Sequence, residues 1–315
     1  MRKSVEKNQV LRASLMVVMA LISAMAVAET DFDQIVFFGD SLSDPGNAFV
    51  LLGQVSVRPF EPIPDFPYAR GGKHFSNGAT WTEQLARSLG MNRSGKPAFR
   101  VPGVFTNYAV GSSRARMVGD VHLSTQVGLF AEDFPVAPAD ALYTVVIGGN
   151  DIRDALVALE TDPTGAASAQ IIEDAVVAIA TNLYTLVGMG ATQFMVGNAP
   201  NVGLAPAVSF LDPPIPALAT QFSMLFNGAL EFALIGIEAI PGVTIARMDV
   251  FGFVNDVVDD PESFGLKYAD FPCLTFFVRK GAFCRQPDDY LFWDGIHPTR
   301  AGHGLMAIVA AEALE

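Results

Sequence analysis

Short apolar segments of strand length alternate with longer segments of helical spacing through most of this 315-residue chain. Such alternation favours a parallel sheet covered by helices on both faces, which is the α/β class. Strands are expected at Gln34–Phe38, Thr106–Val110, Tyr143–Ile147, Gln193–Val196 and Val243–Met248. Helices are expected at Thr80–Leu89, Ile171–Gly188, Ala217–Ile240 and Thr299–Leu314.

Glycine directly follows each of the first four candidate strands, at Gly39, Gly111, Gly148 and Gly197. The carboxyl ends of parallel strands meet at one edge of a sheet, and ligands bind in the crevice outside that edge. We therefore expect the functional residues to lie in the loops that begin at these glycines.

The first 28 residues have the composition of an export signal. A basic start is followed by an uncharged run from Ala13 to Ala28, which ends in the small-residue pattern Ala26-Val27-Ala28 that signal peptidase cleaves. The run of 16 residues is shorter than the roughly 20 needed to span a bilayer. The sequence therefore predicts a cleaved signal peptide over residues 1–28, a secreted or periplasmic protein, and no integral membrane span after signal removal.

Residues 29–315 are expected to form a single domain. Two proline-rich segments, Arg58–Pro67 and Asp212–Pro216, interrupt the pattern of helices and strands. Helix or strand patterns resume directly on either side of each segment, so we interpret both as loops rather than linkers between domains.

Acidic residues outnumber basic ones by 33 to 20, which gives a formal net charge of −13. A nucleic-acid partner is disfavoured, because binding to phosphates needs clustered Lys and Arg. Two cysteines are too few for a four-cysteine metal site. Zinc-protease, phosphate-loop and dinucleotide-binding motifs do not occur, nor does the Gly-x-Ser-x-Gly of α/β-hydrolases. We expect neither a metal nor an organic cofactor.

Ser41 lies just past the first candidate strand, after Gly39 and Asp40. A glycine at this point permits a tight exit from the strand, which can expose the serine hydroxyl above the sheet. Ser41 is therefore a candidate nucleophile. The alternative interpretation is a helix cap, since Ser and Asp are ordinary N-cap residues.

Asp294 and His297 are three residues apart, with Gly295 between them and Pro298 directly after. This spacing allows the carboxylate to fold back onto a ring N–H of the imidazole, which leaves the other ring nitrogen facing a nucleophile. The alternative is an ordinary Asp–His pair on the surface. His74, His122 and His303 are the rival bases, and none has an Asp at this spacing.

Two further strand ends can supply hydrogen-bond donors. Asn150 follows Gly148-Gly149, where its side-chain amide can donate to a developing oxyanion. The segment Asn107–Ser113 ends another candidate strand and offers backbone donors at Gly111 and Ser112. The alternatives are a helix cap at Asn150 and a simple turn at the second segment.

Three ordered motifs resemble those of a known family. They are Gly39-Asp40-Ser41-Leu42, Gly148-Gly149-Asn150-Asp151 and Asp294-Gly295-Ile296-His297-Pro298, with further matches at Phe75-Ser76-Asn77-Gly78, Asn198-Ala199-Pro200-Asn201-Val202-Gly203 and Tyr290-Leu291-Phe292-Trp293. The set resembles the GDSL esterase/lipase family, also called SGNH hydrolases, over nearly all of residues 29–315. It is most similar to the secreted bacterial branch of lecithinase/haemolysin-like enzymes and autotransporter-esterase passenger domains.

The resemblance implies a three-layer α/β/α sandwich with a mostly parallel sheet and a catalytic triad. Ser41 would be the nucleophile, His297 the base, and Asp294 the acid that orients the histidine. Serine needs such a base because its hydroxyl is a poor nucleophile until its proton is removed.

The resemblance also implies an oxyanion hole formed by Asn150 and by backbone N–H groups, including that of Ser41. A further motif of the family, which falls on Asn107–Ser113 in this chain, usually has two glycines where this chain has Gly111-Ser112. The sequence leaves open whether Gly111 or Ser112 supplies the remaining backbone N–H.

The expected activity is hydrolysis of carboxylic esters through an acyl-serine intermediate, on a small-molecule or lipid ester substrate. Acyl transfer or phospholipase activity of the same family is the first alternative. A non-catalytic secreted binding protein on a hydrolase scaffold is the alternative from another class. Apolar loops suit an acyl chain, and Phe60, Phe66, Phe210, Phe276 and Phe277 are candidate contacts among 24 phenylalanines that mostly belong to the core.

Cys273 and Cys284 lie shortly before Asp294. If the chain is exported to an oxidising compartment, they can form a disulfide that closes a short loop near the predicted site. The alternative is a pair of buried thiols.

Overall fold

A computed structural model of the protein describes residues 32–315. The predicted signal peptide over residues 1–28 lies outside the described residues. The strands are β1 (Gln34–Gly39), β2 (Ala141–Val146), β3 (Gln193–Gly197), β4 (Thr244–Met248), β5 (Tyr268–Pro272) and β6 (Tyr290–Phe292). The helices are α1 (Asn47–Leu52), α2 (Trp81–Ser88), α3 (Leu123–Asp133), α4 (Gly149–Ala158), α5 (Ala166–Gly188), α6 (Pro206–Ser209), α7 (Ile215–Glu238), α8 (Val250–Asp259) and α9 (Arg300–Glu312).

The main sheet has four parallel strands in the order β1-β2-β3-β4. Its register pairs Gly39 with Val146, Val146 with Gly197, and Gly197 with Met248. These residues lie at the carboxyl ends of their strands, so the loops that follow them begin at one edge. The short strands β5 and β6 form a separate parallel pair.

The segment Thr106–Val110, predicted as a strand, is not a regular strand. It runs beside β1 and exchanges three backbone hydrogen bonds with Phe37 and Gly39. On its other edge, the side-chain amide of Asn47 donates to the carbonyls of Asn107 and Ala109 at 2.7 and 2.8 Å. These side-chain bonds take the place of most of a second ladder. Two isolated bridges at Asn107, to Phe37 on one edge and to Pro97 on the other, remain of the predicted strand.

Alternate side chains of the strands pack into two helical layers. Val36 and Phe38 belong to the core cluster that also contains buried side chains of α3, α4, α5 and α7. Phe37 points to the opposite face, where its ring meets Trp81 of α2 edge-on at 5.6 Å. Helix α9 packs against α2 and α8 on that side. The structure confirms the prediction of a three-layer α/β/α sandwich.

The predicted β1, β2, β3 and β4, and the predicted α2 and α9, agree with the structure to within about two residues at either end. Helix α5 begins five residues before the predicted Ile171, at Ala166. The sequence interpretation missed α1, α3, α6, α8, β5 and β6, and it allowed α4 only through the alternative that Asn150 caps a helix.

Two helices, α5 and α7, are long and apolar enough in composition to cross a bilayer. Core helices of folded domains pass the same test of length and composition. Both helices contribute buried side chains to the core beside the sheet, Leu183 from α5 and Phe226 from α7 among them.

A small satellite core supports the loop that carries Asp294. A disulfide links Cys273 and Cys284, which are 11 positions apart, and Cys273 packs with Tyr68 and Trp293. The backbone N–H groups of Cys273 and Leu274 donate to the carbonyls of Phe292 and Trp293 at 2.9 and 3.0 Å. The disulfide therefore closes a loop that is hydrogen bonded to the strand just before Asp294.

Replacing both cysteines, Cys273→Ala with Cys284→Ala, should lower the free energy of unfolding by about 2–3 kcal/mol, because the unfolded chain loses the restraint on its short loop. Denaturant unfolding of the oxidised protein and of the double variant measures the change. Added reductant is the control, and it should destabilise the wild type but not the variant. Equal unfolding midpoints without reductant would contradict this prediction.

Candidate active site

The turn after β1 brings Ser41 to the carboxyl edge of the sheet. The N–H and carbonyl of Gly39 are both hydrogen bonded by the side chain of Gln126, at 2.9 and 2.8 Å. A Cβ at position 39 would lie 2.5 Å from the carbonyl oxygen of Val146, so only glycine allows this approach to β2. A carboxylate oxygen of Asp40 then accepts the N–H of Leu42 at 3.0 Å, which tightens the turn around Ser41.

Ser41, His297 and Asp294 form a continuous hydrogen-bonded chain. The Nε2 atom of His297 lies 2.8 Å from the Oγ of Ser41, and its Nδ1 lies 2.8 Å from the Oδ2 of Asp294. All three residues are buried. Proton transfer needs heavy atoms within about 2.6–3.2 Å, and both contacts meet this requirement.

The loop between β6 and α9 holds the Asp294 carboxylate with its own amides. Oδ1 accepts the N–H groups of Ile296 and His297 at 2.9 and 2.8 Å. Oδ2 also accepts the hydroxyl of Tyr68 at 2.9 Å. Burial and then the charge of Asp294 raise the pKa of Tyr68, which keeps its hydroxyl a proton donor to the carboxylate.

A second segment, Phe75–Asn77, packs against the His297 loop. The ring of Phe75 lies against the imidazole, with ring centroids 5.3 Å apart. The hydroxyl of Ser76 donates to the carbonyl of Pro298 at 2.8 Å, and the Asn77 side chain accepts the N–H of Arg300 at 2.7 Å. These contacts restrain the imidazole of His297 and the loop that follows it.

Asn150 lies in the first turn of α4 beside Ser41. It follows Gly148, whose φ of +130° suits glycine and whose missing side chain leaves room for the ring of Phe226. The side-chain amide of Asn150 donates one N–H to the carbonyl of Ser113 at 2.9 Å, which orients the group. Its second N–H has no acceptor among the described residues.

Gly111 and Ser112, the two candidate backbone donors, differ in whether their N–H groups are already hydrogen bonded. The N–H of Gly111 donates to the Oδ2 of Asp44 at 2.8 Å and is therefore already bonded. Ser112 has a φ of +66°, so this serine adopts the left-handed conformation that a glycine would take without strain. Within residues 32–315, the N–H groups of Ser112 and Ser41 have no protein acceptor.

Two acids that the sequence interpretation passed over hold these loops in place. The Asp44 carboxylate accepts the N–H groups of Gly46, Asn47 and Ala48, in addition to that of Gly111. Asp151, fully buried, accepts the N–H of Ala115 and the Nε of Arg116, both at 2.8 Å. Asp151 directly follows Asn150 and Asp44 lies three residues after Ser41, and this proximity in the chain was the available signal.

Burial shifts the ionisation of two groups close to Ser41 and His297. It raises the pKa of Asp40 from 3.8 to about 6, against the opposing effect of the Leu42 N–H. It lowers the pKa of His303 to about 3, helped by the nearby His297 and His74. His303 therefore stays neutral at physiological pH and adds no charge beside the imidazole of His297.

The rival histidines lie apart from Ser41. The Nε2 of His74 pairs with Glu83 at 2.8 Å, and this pairing raises its pKa although burial alone would lower it. The Nε2 of His122 contacts the hydroxyl of Thr125 at 3.2 Å. Among the described residues, only His297 has a ring nitrogen in hydrogen-bond contact with Ser41.

A cleft of about 850 Å³, with the open solvent at its mouth included, lies in front of Ser41. Polar groups around Ser41 form one part of its wall, and the rest is apolar: Leu42, Ile63, Val202, Ala205, Val208, Val250, Phe253, Val254, Leu291, Phe292, Ile296 and Met306. Its phenylalanines are Phe253 and Phe292, whereas none of the five candidates proposed from the sequence lines it. Phe60, for example, belongs to the satellite core of the disulfide.

Residues 32–315 contain no group of three or more His, Cys, Asp or Glu side chains arranged to hold a metal ion. The described site therefore offers hydrogen-bond donors, a buried base and an acid. This arrangement can activate a hydroxyl and stabilise a negatively charged oxygen.

Two solved structures align with most of this chain. An α/β hydrolase from the metagenome of Lake Arreo, Spain, is 14% identical and covers 90% of this chain and 94% of its own, with a TM-score of 0.49. The acetylxylan esterase Axe2 of Geobacillus stearothermophilus is 12% identical, with a TM-score of 0.44 and the same coverage.

Curated relatives include a GDSL esterase/lipase of Arabidopsis thaliana, which is 27% identical over 86% of this chain and 84% of the relative. A second GDSL esterase/lipase of that plant is also 27% identical, over 86% of each chain. The family model described as GDSL-like Lipase/Acylhydrolase matches residues 35–309, nearly the whole of the described chain. The resemblance of the ordered motifs is thereby confirmed, and the chain belongs to the GDSL-like lipase/acylhydrolase family.

Proposed function

We propose that the protein hydrolyses carboxylic esters of small molecules with Ser41 as the nucleophile, His297 as the base and Asp294 as the orienting acid. Family membership supports the serine ester hydrolase class. The observation that carries the assignment of residues is the unbroken hydrogen-bonded chain from Ser41 through His297 to Asp294, beside an apolar cleft.

The reaction follows from these contacts. His297 Nε2 takes the proton of the Ser41 hydroxyl as its Oγ attacks the ester carbonyl carbon, and Asp294 stabilises the imidazolium. The tetrahedral intermediate then expels the alcohol, which receives that proton from His297. Water repeats the sequence on the acyl-serine, which releases the carboxylic acid and restores the Ser41 hydroxyl.

The oxyanion hole consists of the N–H groups of Ser41 and Ser112 and the side-chain amide of Asn150. Within residues 32–315, no protein acceptor is bonded to the backbone N–H of Ser41, to that of Ser112, or to the second side-chain N–H of Asn150. Gly111 contributes indirectly, because its N–H binds Asp44 and so holds the loop of Ser112. We assign the backbone donor to Ser112 on this basis.

The protein is exported, with residues 1–28 removed as a signal peptide and residues 29–315 forming the catalytic domain. The disulfide between Cys273 and Cys284 supports this proposal, because disulfides persist in oxidising compartments. Placement in the secreted bacterial branch rests on the sequence motifs and the signal-like leader alone, since the relatives reported above come from a plant.

Ser41→Ala should reduce hydrolysis of p-nitrophenyl esters to background, because within residues 32–315 the His297 Nε2 is hydrogen bonded to no other hydroxyl. A fluorophosphonate probe should label the wild type and fail to label the variant, while circular dichroism stays the same. Ser88→Ala, on the exposed end of α2, is the matched control and should be labelled like the wild type.

Persistent labelling of the Ser41→Ala variant would place the nucleophile elsewhere. A wild type that neither reacts with the probe nor hydrolyses esters would support the non-catalytic alternative. Product analysis with glycerol present separates hydrolysis from acyl transfer, because transfer would yield acylglycerol in place of free acid.

Asn150→Ala should lower kcat by about 100- to 1000-fold, which is the usual loss for one oxyanion donor. Steady-state kinetics on a short-chain p-nitrophenyl ester measures it, with denaturant unfolding to show that the variant is folded. Asn92→Ala, at an exposed loop position, serves as the control and should retain full activity. An unchanged kcat in Asn150→Ala would remove this side chain from the oxyanion hole.

Asp40→Asn should stabilise the protein relative to the wild type, and this gain should be larger at neutral pH than at acidic pH. Burial raises the Asp40 pKa from 3.8 to about 6, so the folded state holds this proton more tightly than the unfolded state. The contribution of Asp40 to wild-type stability therefore falls by about 2 kcal/mol as pH rises from 4 to 7, and the variant lacks this loss.

Denaturant unfolding at pH 4 and pH 7 measures the Asp40→Asn effect as a difference between the two proteins. Asp212→Asn, at an exposed position, is the control and should show no such pH-dependent difference. A stability difference between Asp40→Asn and the wild type that is the same at both pH values would contradict the prediction.

A further inference from the structure

The wall of the cleft contains one arginine, Arg153. It lies on α4, three residues after Asn150, and residues at this spacing occupy the same face of a helix. Its side chain is about one-third exposed, with a relative accessibility of 33%. Arg153 therefore faces the same space as Ser41 and Asn150, at the polar end of an otherwise apolar cleft.

The two acids of α4, Asp151 and Asp154, are already paired with other arginines. Arg114 binds Asp154 through two N–H groups at 2.8 and 2.9 Å, and Arg116 binds Asp154 and Asp151 at 2.7 and 2.8 Å. The ion pair of Arg153 with Asp154 is 4.0 Å long, too far for a hydrogen bond. Three guanidinium groups therefore interact with two carboxylates, and the contact of Arg153 is the longest.

The donors of Arg153 are unused. No hydrogen bond joins its guanidinium group to an acceptor in residues 32–315, although the group carries five N–H donors in a planar fork. Burial, followed by repulsion from Arg114, lowers the pKa of Arg153, and Asp154 opposes this effect. Asp65 and Asp40 act on this charge without a hydrogen bond to it.

We propose that Arg153 is a specificity-determining residue that binds an anionic group, a carboxylate or a phosphate, carried by the ester substrate. The proposal rests on the ester hydrolysis proposed for Ser41. A guanidinium group suits such ligands, because its fork donates two parallel hydrogen bonds to two oxygens of one anion. The apolar part of the cleft receives the hydrocarbon part of the same substrate.

The location of Arg153 in the cleft allows it to attract an anionic group although the protein is strongly acidic. With a formal net charge of −13, the chain as a whole repels anions in solution. A partly buried charge is screened by salt much less than an exposed one, so Arg153 acts on a group that has already entered the cleft. Selection for the anion therefore occurs at binding and should be observed chiefly in KM.

The test compares matched neutral and anionic esters with the wild type and Arg153→Gln at pH 8. One pair is p-nitrophenyl butyrate and mono-p-nitrophenyl glutarate, and the other is the acetate ester of 2-methoxyethanol and 2-acetoxyethyl phosphate. The first pair probes a carboxylate and the second a phosphate. The measured quantity is the ratio of kcat/KM for the anionic ester to that for the neutral one.

Arg153→Gln should lower this ratio by about 10- to 100-fold in at least one pair, as expected for a lost charge-assisted hydrogen bond. Arg153→Lys should give an intermediate loss, because it keeps the charge without the planar fork. Arg93→Gln removes the same charge at an exposed loop position away from the cleft and should leave the ratio unchanged.

An equal fall for neutral and anionic esters in Arg153→Gln would overturn the proposal and indicate a structural role. An equal change of the ratio in Arg93→Gln would also overturn it, since the effect would then come from net charge. Fluorophosphonate labelling of Ser41 is measured in parallel. Failure of the wild type to label would contradict the proposed function itself, whereas a labelled enzyme with an unchanged ratio contradicts only the role of Arg153.

Discussion

The compensation of one buried charge underlies the geometry of the site. Asp294 has no exposed surface, and a carboxylate in that position is stable only when its oxygens are hydrogen bonded. Two amides of its own loop satisfy one oxygen, and the Tyr68 hydroxyl and the His297 ring satisfy the other. The imidazole is therefore held by the same bonds that make the buried acid tolerable, and its second nitrogen is directed at Ser41.

The cleft combines two environments that the fold keeps apart. The N-terminal turn of α4 and the β1 loop supply hydrogen-bond donors and the charge of Arg153, whereas α8, β6 and α9 supply an apolar wall. Donors in a partly desolvated space act more strongly on a developing negative charge than they would in water. In the proposed reaction, the apolar wall would therefore strengthen these donors as well as receive the hydrocarbon part of the ester.

Local patterns predicted the four strands of the main sheet and made Ser41, Asp294 and His297 candidates, whereas contacts between distant segments could not be predicted. Glycine after the first four candidate strands indicated where the loops begin, and the spacing of Asp294 and His297 allowed their contact as one of two interpretations. The irregular course of Thr106–Val110 depends on the Asn47 side chain, 60 positions from its partner Asn107. The choice between Gly111 and Ser112 depends on a bond to Asp44, 67 positions from Gly111. No periodicity or spacing encodes such pairings.

Ser41 and His297 are separated by 256 positions, nearly the full length of the described chain. The proposed nucleophile lies in the turn after β1, and the proposed base lies in the loop before α9. The four strands of the main sheet all precede His297 in the chain, so the sheet alone leaves Ser41 without this partner. The contact between the two side chains forms only when the segment that carries His297 packs against the sheet.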